Sequence, residues 1–289
     1  GRPQLARAAL EAMAHQMHDL ATAFAADGAP WQALRIDGGM SANDWMAQDI
    51  AGILDLPVER PGFVETTALG AAVCAAVGAG IYRSLADAAA AIILALNVTD
   101  HGACSIGGEV PVLIYDSQRQ EVKSLSGQGG APLSPQAIDW YMQNGIPNND
   151  IKMAPVPAVV DLCITMLQRY GTKSFGEIIA PTLALLDRGK EAWHPLLAVT
   201  LRRMVEEEAR TVGSREARMQ AACDRFYGRN AERIDIAEEI EAFYIKQGGF
   251  LRRQDLAAHK TLIEEPVSVN YRGYTVYKCG TWTQGPFLC

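Results

Sequence analysis

The side chains able to do chemistry are scattered along this 289-residue chain, and few recur at spacings that a reaction or a metal would need. Six cysteines (Cys74, Cys104, Cys163, Cys223, Cys279 and Cys289) form no CxxC pair and no zinc-type spacing, so reduced, mostly buried thiols are expected. His15 and His18 lie three apart on an expected helix without a third ligand nearby, and no metal site is expected there. Ser105 in CSIGG lacks the GxSxG order of a nucleophile elbow. Asp116, Asp161, Asp255 and His259 are far apart in sequence and read as turn, cap or surface residues. One local pattern has a chemical use. Leu34-Arg35-Ile36 reads as a strand, Asp37-Gly38-Gly39-Met40 breaks it, and Ser41 is placed to cap a helix from Ala42 to about Leu54. Paired glycines let a ligand approach the backbone, and free N–H groups at a helix start favour anions or polar ring edges. The same pattern also makes an ordinary tight turn between strand and helix.

These residues are carried by a chain of ordinary globular composition, 49% hydrophobic and 20% charged, long enough for two domains. A formal net charge of −7 without a Lys/Arg cluster argues against nucleic acid and anionic membrane surfaces. The most apolar run, Ala88 to Leu96, is about half of what a membrane span needs. The opening GRPQLARAALEAMAHQ is no signal peptide, so the chain as written is expected in the cytoplasm.

Helical spacing of Leu5, Leu10, Met13, Met17 and Leu20 predicts an amphipathic helix over residues 3–25. Glu65-Thr66-Thr67 caps a further helix whose one face is small from Ala68 to Ala76. Farther on, Val110–Tyr115 and Glu121–Leu125 read as a hairpin across Asp116–Gln120. Helices are expected at Ala158–Tyr170, Phe175–Leu186 (bent or restarted at Pro181), Leu196–Arg210, Arg215–Phe226 and Ile234–Lys246. Val267–Tyr271 and Tyr274–Tyr277 flank Arg272-Gly273, a two-residue hairpin turn. On residue types alone this is a mixed α/β chain, and no catalytic set emerges.

Longer strings say more. LRIDGGMSANDWMAQDIAGILDLPVERPGFVETTALGAA resembles the C-terminal domain of the FGGY carbohydrate kinases, glycerol kinases in particular. The resemblance implies an actin-like, ribonuclease-H-type unit over residues 1–86 that forms one wall of an ATP cleft. Gly38, Gly39, Met40 and Asn43 would line the adenosine pocket, with Asp37 ending the strand that leads there. ATP with magnesium would be the cofactor of the kinase parent only. That family's catalytic base, sugar-binding residues and other phosphate loop belong to an N-terminal lobe outside this sequence, so no kinase activity is expected.

From residue 87 to 289 a second resemblance takes over. DAAAAIILALNVTDHGACSIGGEVPVLIYDSQRQEVKSLSGQGGAP, FYGRNAERI, QGGFLRRQDLAAH, EEPVSVNYRGYTVY and CGTWTQGP are similar, in order, to the front of the γ-glutamyltransferase (glutathione hydrolase) large subunit. It implies an incomplete αββα N-terminal-nucleophile hydrolase segment that needs no cofactor. In that family a Thr freed by self-cleavage attacks the γ-glutamyl amide, its own amine serving as base. That Thr sits in a small subunit beyond Cys289, which makes the small subunit the implied partner and γ-glutamyl compounds the implied substrates. The family usually carries an Arg three residues before an Ala-Pro to grip the substrate α-carboxylate. Here Gln128 precedes Ala131-Pro132 at that spacing, a departure that argues against ordinary glutathione use.

The two resemblances meet near Ser84-Leu85-Ala86-Asp87-Ala88, where an Ala-rich helix satisfies both. The sequence therefore reads as a chimera: a γ-glutamyltransferase-like segment fused to an ATP-binding kinase remnant and inactive as given. The other readings are a fragment of an ATP-dependent carbohydrate kinase, or a non-catalytic interaction module. A transferase parent is compatible with export.

Overall fold

The computed structural model describes residues 1–36, 39–60, 77–100, 104–188, 194–230 and 232–283. The Asp37-Gly38 pair and the expected Ala68–Ala76 helix face lie outside the described residues. Two compact units separate: Gly1–Ala79 with Thr99–Ala103, and Gly80–Val98 with Cys104–Cys289.

The first unit is built from α1 (Arg2–Ala26), β1 (Leu34–Arg35), a 3-10 turn (Gly39–Ala42), α2 (Asp44–Leu54) and β2 (Val58–Glu59). The β1 and β2 strands are parallel, with Leu34 opposite Val58 and Arg35 opposite Glu59. A small core of Ala14, Met46 and Ile50, flanked by Met13, Leu34 and Val58, joins helices and strands. The apolar stripe expected on α1 is covered only here: Leu5 and Leu20 are exposed, because α2 is less than half as long as α1. The cap also differs from expectation. Ser41 sits inside the 3-10 turn, and Asn43 caps α2, its Oδ1 accepting from the Met46 N–H at 3.2 Å.

The second unit carries α3 (Leu85–Thr99), β3 (Val110–Asp116), β4 (Glu121–Gly127), α4 (Pro135–Asn144), α5 (Val159–Tyr170), α6 (Phe175–Arg188), α7 (Pro195–Arg210), α8 (Arg215–Tyr227), α9 (Asp235–Lys246), α10 (Arg253–Ala258), β5 (Leu262–Glu264), β6 (Val267–Tyr271) and β7 (Tyr274–Lys278). At its centre is α5, which buries Val159, Val160, Leu162, Cys163, Ile164, Met166 and Leu167. Surrounding α3, α6, α7 and α8 supply Leu94, Ile178, Leu201 and Phe226 to the same core. A three-stranded antiparallel sheet in the order β3-β4-β5 joins it through Leu125. The β6–β7 hairpin forms its own two-stranded sheet, turning at Arg272 and Gly273 with φ of 52° and 86°, as the Arg-Gly pair predicts. Among the described residues no sheet spans both units.

Pro181 does not break α6, which runs through it. Its start is secured from outside: the Glu208 carboxylate on α7 accepts from the N–H groups of Phe175 (2.8 Å) and Gly176 (2.6 Å). The buried Asp87 on α3 similarly accepts from the Thr172 N–H (2.9 Å) and hydroxyl (2.7 Å) and the Lys173 N–H (3.2 Å). Burial works against its charge, but these donors hold the carboxyl below its ordinary value.

Candidate functional site

In the first unit, the described kinase-type residues gather between β1 and the start of α2. Met40 is exposed on the 3-10 turn. Gly39 opens that turn, and Asn43 commits its side-chain oxygen to the helix cap. Arg60 ties the region together by donating to the Ser41 carbonyl (2.8 Å) and the Asp44 carboxylate (2.7 Å). Of the four expected adenosine contacts, Gly38 lies outside the described residues. An exposed thioether next to a capped helix start fits a purine face, while the described residues there supply no cluster of cations for a triphosphate.

In the second unit, Gln128 follows β4 and lies between two glycines at which any side chain would force neighbouring backbone to move. A Cβ on Gly127 would meet the Val110 carbonyl oxygen at 2.3 Å, and one on Gly129 would meet that of Val156 at 1.7 Å. The backbone is pressed onto its neighbours on both sides, leaving Gln128 exposed at the rim of a recess of about 240 Å³. Gly130 accepts from the Val156 N–H at 3.0 Å. Asp255 buttresses the same loop: its Oδ1 accepts from the Leu133 N–H (2.8 Å), while Oδ2 accepts from the Arg252 N–H (2.7 Å) to cap α10. Asp255, His259 and Lys260 also line the recess, and Lys260 is its exposed cation.

Behind this recess lies an arrangement that the residue spacing alone did not reveal. Asp161 and His259, read from sequence as turn, cap or surface residues, are buried and near each other. The Asp161 carboxylate accepts from the Thr261 N–H (2.7 Å), Arg229 Nη2 (2.8 Å) and the Cys223 thiol (3.4 Å). Arg229 also donates to the carbonyls of Ala257 (3.2 Å) and His259, and its guanidinium stacks 4.6 Å from the Tyr227 ring centroid. Tyr227 donates to the Pro157 carbonyl at 2.6 Å. Burial alone would raise the Asp161 carboxyl, yet Thr261 and Arg229 hold it below its ordinary value. For His259 burial dominates and pushes it down, with Arg229 acting in the same direction and Asp161 opposing. Its Nε2 is buried with no hydrogen-bond partner among the described residues. Gly228, φ +66°, lets the chain turn out of α8 so that Arg229 can enter this network. That helix-ending glycine within FYGRN was the available signal.

Burial raises the Cys163 thiol to about 12, and both Cys163 and Cys223 are packed in the core. His15 and His18 are exposed on α1, and the described residues contain no group of three His, Cys, Asp or Glu able to hold a metal. Asp116 is a turn residue, as expected, accepting from the N–H groups of Gln118 (2.9 Å) and Arg119 (3.2 Å). No helix among the described residues is long and apolar enough to cross a membrane.

Comparison with known proteins agrees with this division. The family model of gamma-glutamyltranspeptidase matches residues 74–211 and 193–289, and the model of the FGGY carbohydrate kinase C-terminal domain matches residues 1–79. The chain belongs to the gamma-glutamyltranspeptidase family, with an FGGY kinase C-terminal segment at its front. Glycerol kinase of Rhodospirillum centenum is 58% identical over 87 residues, which are 30% of this chain and 18% of that enzyme. The solved gamma-glutamyltranspeptidase of Pseudomonas nitroreducens, in complex with L-DON, shares the fold at 20% identity and a TM-score of 0.54, covering 74% of this chain and 69% of that one. That of Helicobacter pylori does so at 24% identity and a TM-score of 0.52, covering 68% and 64%. The chain thus spans under a fifth of the first glycerol kinases it matches. The mixed α/β fold, with an N-terminal-nucleophile-type second segment, stands on these matches.

Proposed function

We propose that the segment from about residue 87 is the large-subunit front part of an enzyme that transfers or hydrolyses γ-glutamyl groups, and that Gln128 and Lys260 meet the α-carboxylate of the γ-glutamyl donor. The observation that carries this reading is the recess itself. Two glycines whose Cβ positions are filled by neighbouring backbone hold Gln128 at its rim, and Lys260 lines the same wall. The family's Arg would make two charge-assisted hydrogen bonds to a carboxylate, whereas Gln offers a single neutral amide. In this chain Lys260 supplies the positive charge and Gln128 the orientation. His259 and the Arg229–Asp161 pair fix the strand-side backbone from Ala257 to Thr261 on which Lys260 stands.

The nucleophile and its amine base are assigned by resemblance to a small subunit, and residues 87–289 contribute to holding the donor. Residues 1 to about 86 are then the adenosine-facing wall of an ATP cleft, with Gly39, Met40 and Asn43 beside the purine. When bound, ATP and magnesium would supply the phosphoryl group and its charge neutralisation to the complete kinase parent. In this chain Met40 offers an apolar face and Asn43 holds the helix start.

Binding tests the transferase half directly. In an NMR titration, glutathione should shift backbone signals of residues 126–133 and 255–262, and an analogue lacking the γ-glutamyl α-carboxylate should not. Equal shifts with both compounds, or shifts elsewhere, would remove the assignment.

A further inference from the structure

We infer that the cleft beside the start of α3 binds a small, multiply charged anion of phosphate or carboxylate type. The cleft encloses about 770 Å³ between the α3 N-terminus, the β3–β4 hairpin and the last turn of α5. Arg83, Arg119 and Arg169 all line it, and Asp116 is the carboxylate that does so. Three guanidinium charges against one carboxylate leave a formal local charge of +2 on a chain whose net charge is −7.

Only Arg119 is neutralised, through Asp116 at 2.6 Å. Arg83 and Arg169 are exposed and make no ion pair among the described residues. Several arginines elsewhere in this unit are tied into pairs, Arg225 with Asp235, Arg229 with Asp161 and Arg253 with Glu241, while Arg188, Arg218, Arg252 and Arg272 make no ion pair among the described residues. What this cleft adds is that two unpaired forks line one recess, and a guanidinium fork matches two oxygens of a phosphate or carboxylate. The start of α3 lines the wall through Ser84, Leu85 and Ala86, where the buried Asp87 carboxylate of the first turn offsets the positive end of the helix dipole, so the arginines carry the field. Val112, Ile114 and Met166 give the wall an apolar part, beside polar Ser117, Gln118 and Tyr170. That combination selects a ligand with anionic groups at the arginine rim and a carbon body on the apolar wall. The Gln128 recess shares no lining residue with this cleft.

Calorimetric titration of the whole chain at low ionic strength, with pyrophosphate, phenyl phosphate and citrate as probes, tests the site. At least one probe should bind, with affinity falling as salt is added. Arg83→Ala and Arg169→Ala should each weaken binding about tenfold or more, since both are exposed and unpaired. Asp116→Asn keeps an acceptor for the turn but frees Arg119, and should tighten binding. Tightest binding of phenyl phosphate assigns the site to an organic phosphate, and tightest binding of citrate to a polycarboxylate. Either ranking supports the site. Failure of all three probes to bind, or equal affinities for the wild type and an Arg83→Ala/Arg169→Ala variant with an unchanged circular dichroism spectrum, overturns it.

Discussion

Taking away Arg229 would strand the Asp161 carboxylate, 7% exposed, beside the Tyr227 ring and the Cys223 thiol. Breaking one partner out of a buried ion pair costs about 3–5 kcal/mol, so Arg229→Met should lower the unfolding free energy measured in urea by that much, and Asp161→Asn in the same background should recover part of it. The pH dependence follows from the same cluster. Both Asp161 and His259 have folded-state values below their ordinary ones. Each therefore stabilises the fold above its unfolded value and loses that contribution as pH falls: His259 on descending through about 6.5, Asp161 lower, below about 4. Unfolding midpoints should fall between pH 7 and pH 5, and His259→Phe, which keeps a ring against Tyr227, should flatten that window. Identical slopes in the two proteins would exclude His259 as the group responsible. None of this could be seen in residue types alone. Asp161, Arg229 and His259 lie up to 98 positions apart in the sequence, and only the packing of α5, α8 and α10 brings them together. Gln128 is legible only through the γ-glutamyltransferase resemblance, which places a carboxylate contact three residues before Ala131-Pro132, and its role stays a proposal.

At the level of elements, hairpins, helix spans and the Arg272-Gly273 turn follow the sequence pattern closely, since turn residues and hydrophobic period act over a few residues. Pro181 is the instructive exception. Sequence logic bends or restarts a helix there; α6 does not restart, because Glu208 caps its start and Ile178, Ile179 and Thr182 are buried on both sides of the proline. A helix held by tertiary contacts tolerates a residue that an isolated one would not. Pro181→Ala should then raise the melting temperature, by an amount equivalent to as much as about 3 kcal/mol. No change would mean that the lost hydrogen bond is replaced elsewhere. Gly129→Ala should act oppositely: a Cβ 1.7 Å from the Val156 carbonyl forces the loop apart, at about 1–3 kcal/mol or more, and should abolish ligand-induced shifts around Gln128.

For the molecule as a whole, the sequence already joined two different enzyme pieces, because each resemblance rests on contiguous or ordered strings, and family matches to residues 1–79 and 74–289 support that fusion. The β6–β7 hairpin exposes Tyr271 and Tyr274, and β5 exposes Leu262. Clustered exposed apolar groups of this kind favour association, so sizing chromatography should show oligomers that Tyr274→Lys reduces; a sharp monomer at every concentration would contradict this. The central claim is that Gln128 occupies the carboxylate position of a γ-glutamyl site, and calorimetric binding of glutathione to wild-type and Gln128→Arg chains tests it most directly. Charged hydrogen bonds contribute about 1.5–3 kcal/mol against about 1 for neutral ones, so the arginine variant should bind on the order of tenfold tighter. An unchanged dissociation constant would contradict the account, because it would place Gln128 away from the donor's carboxylate.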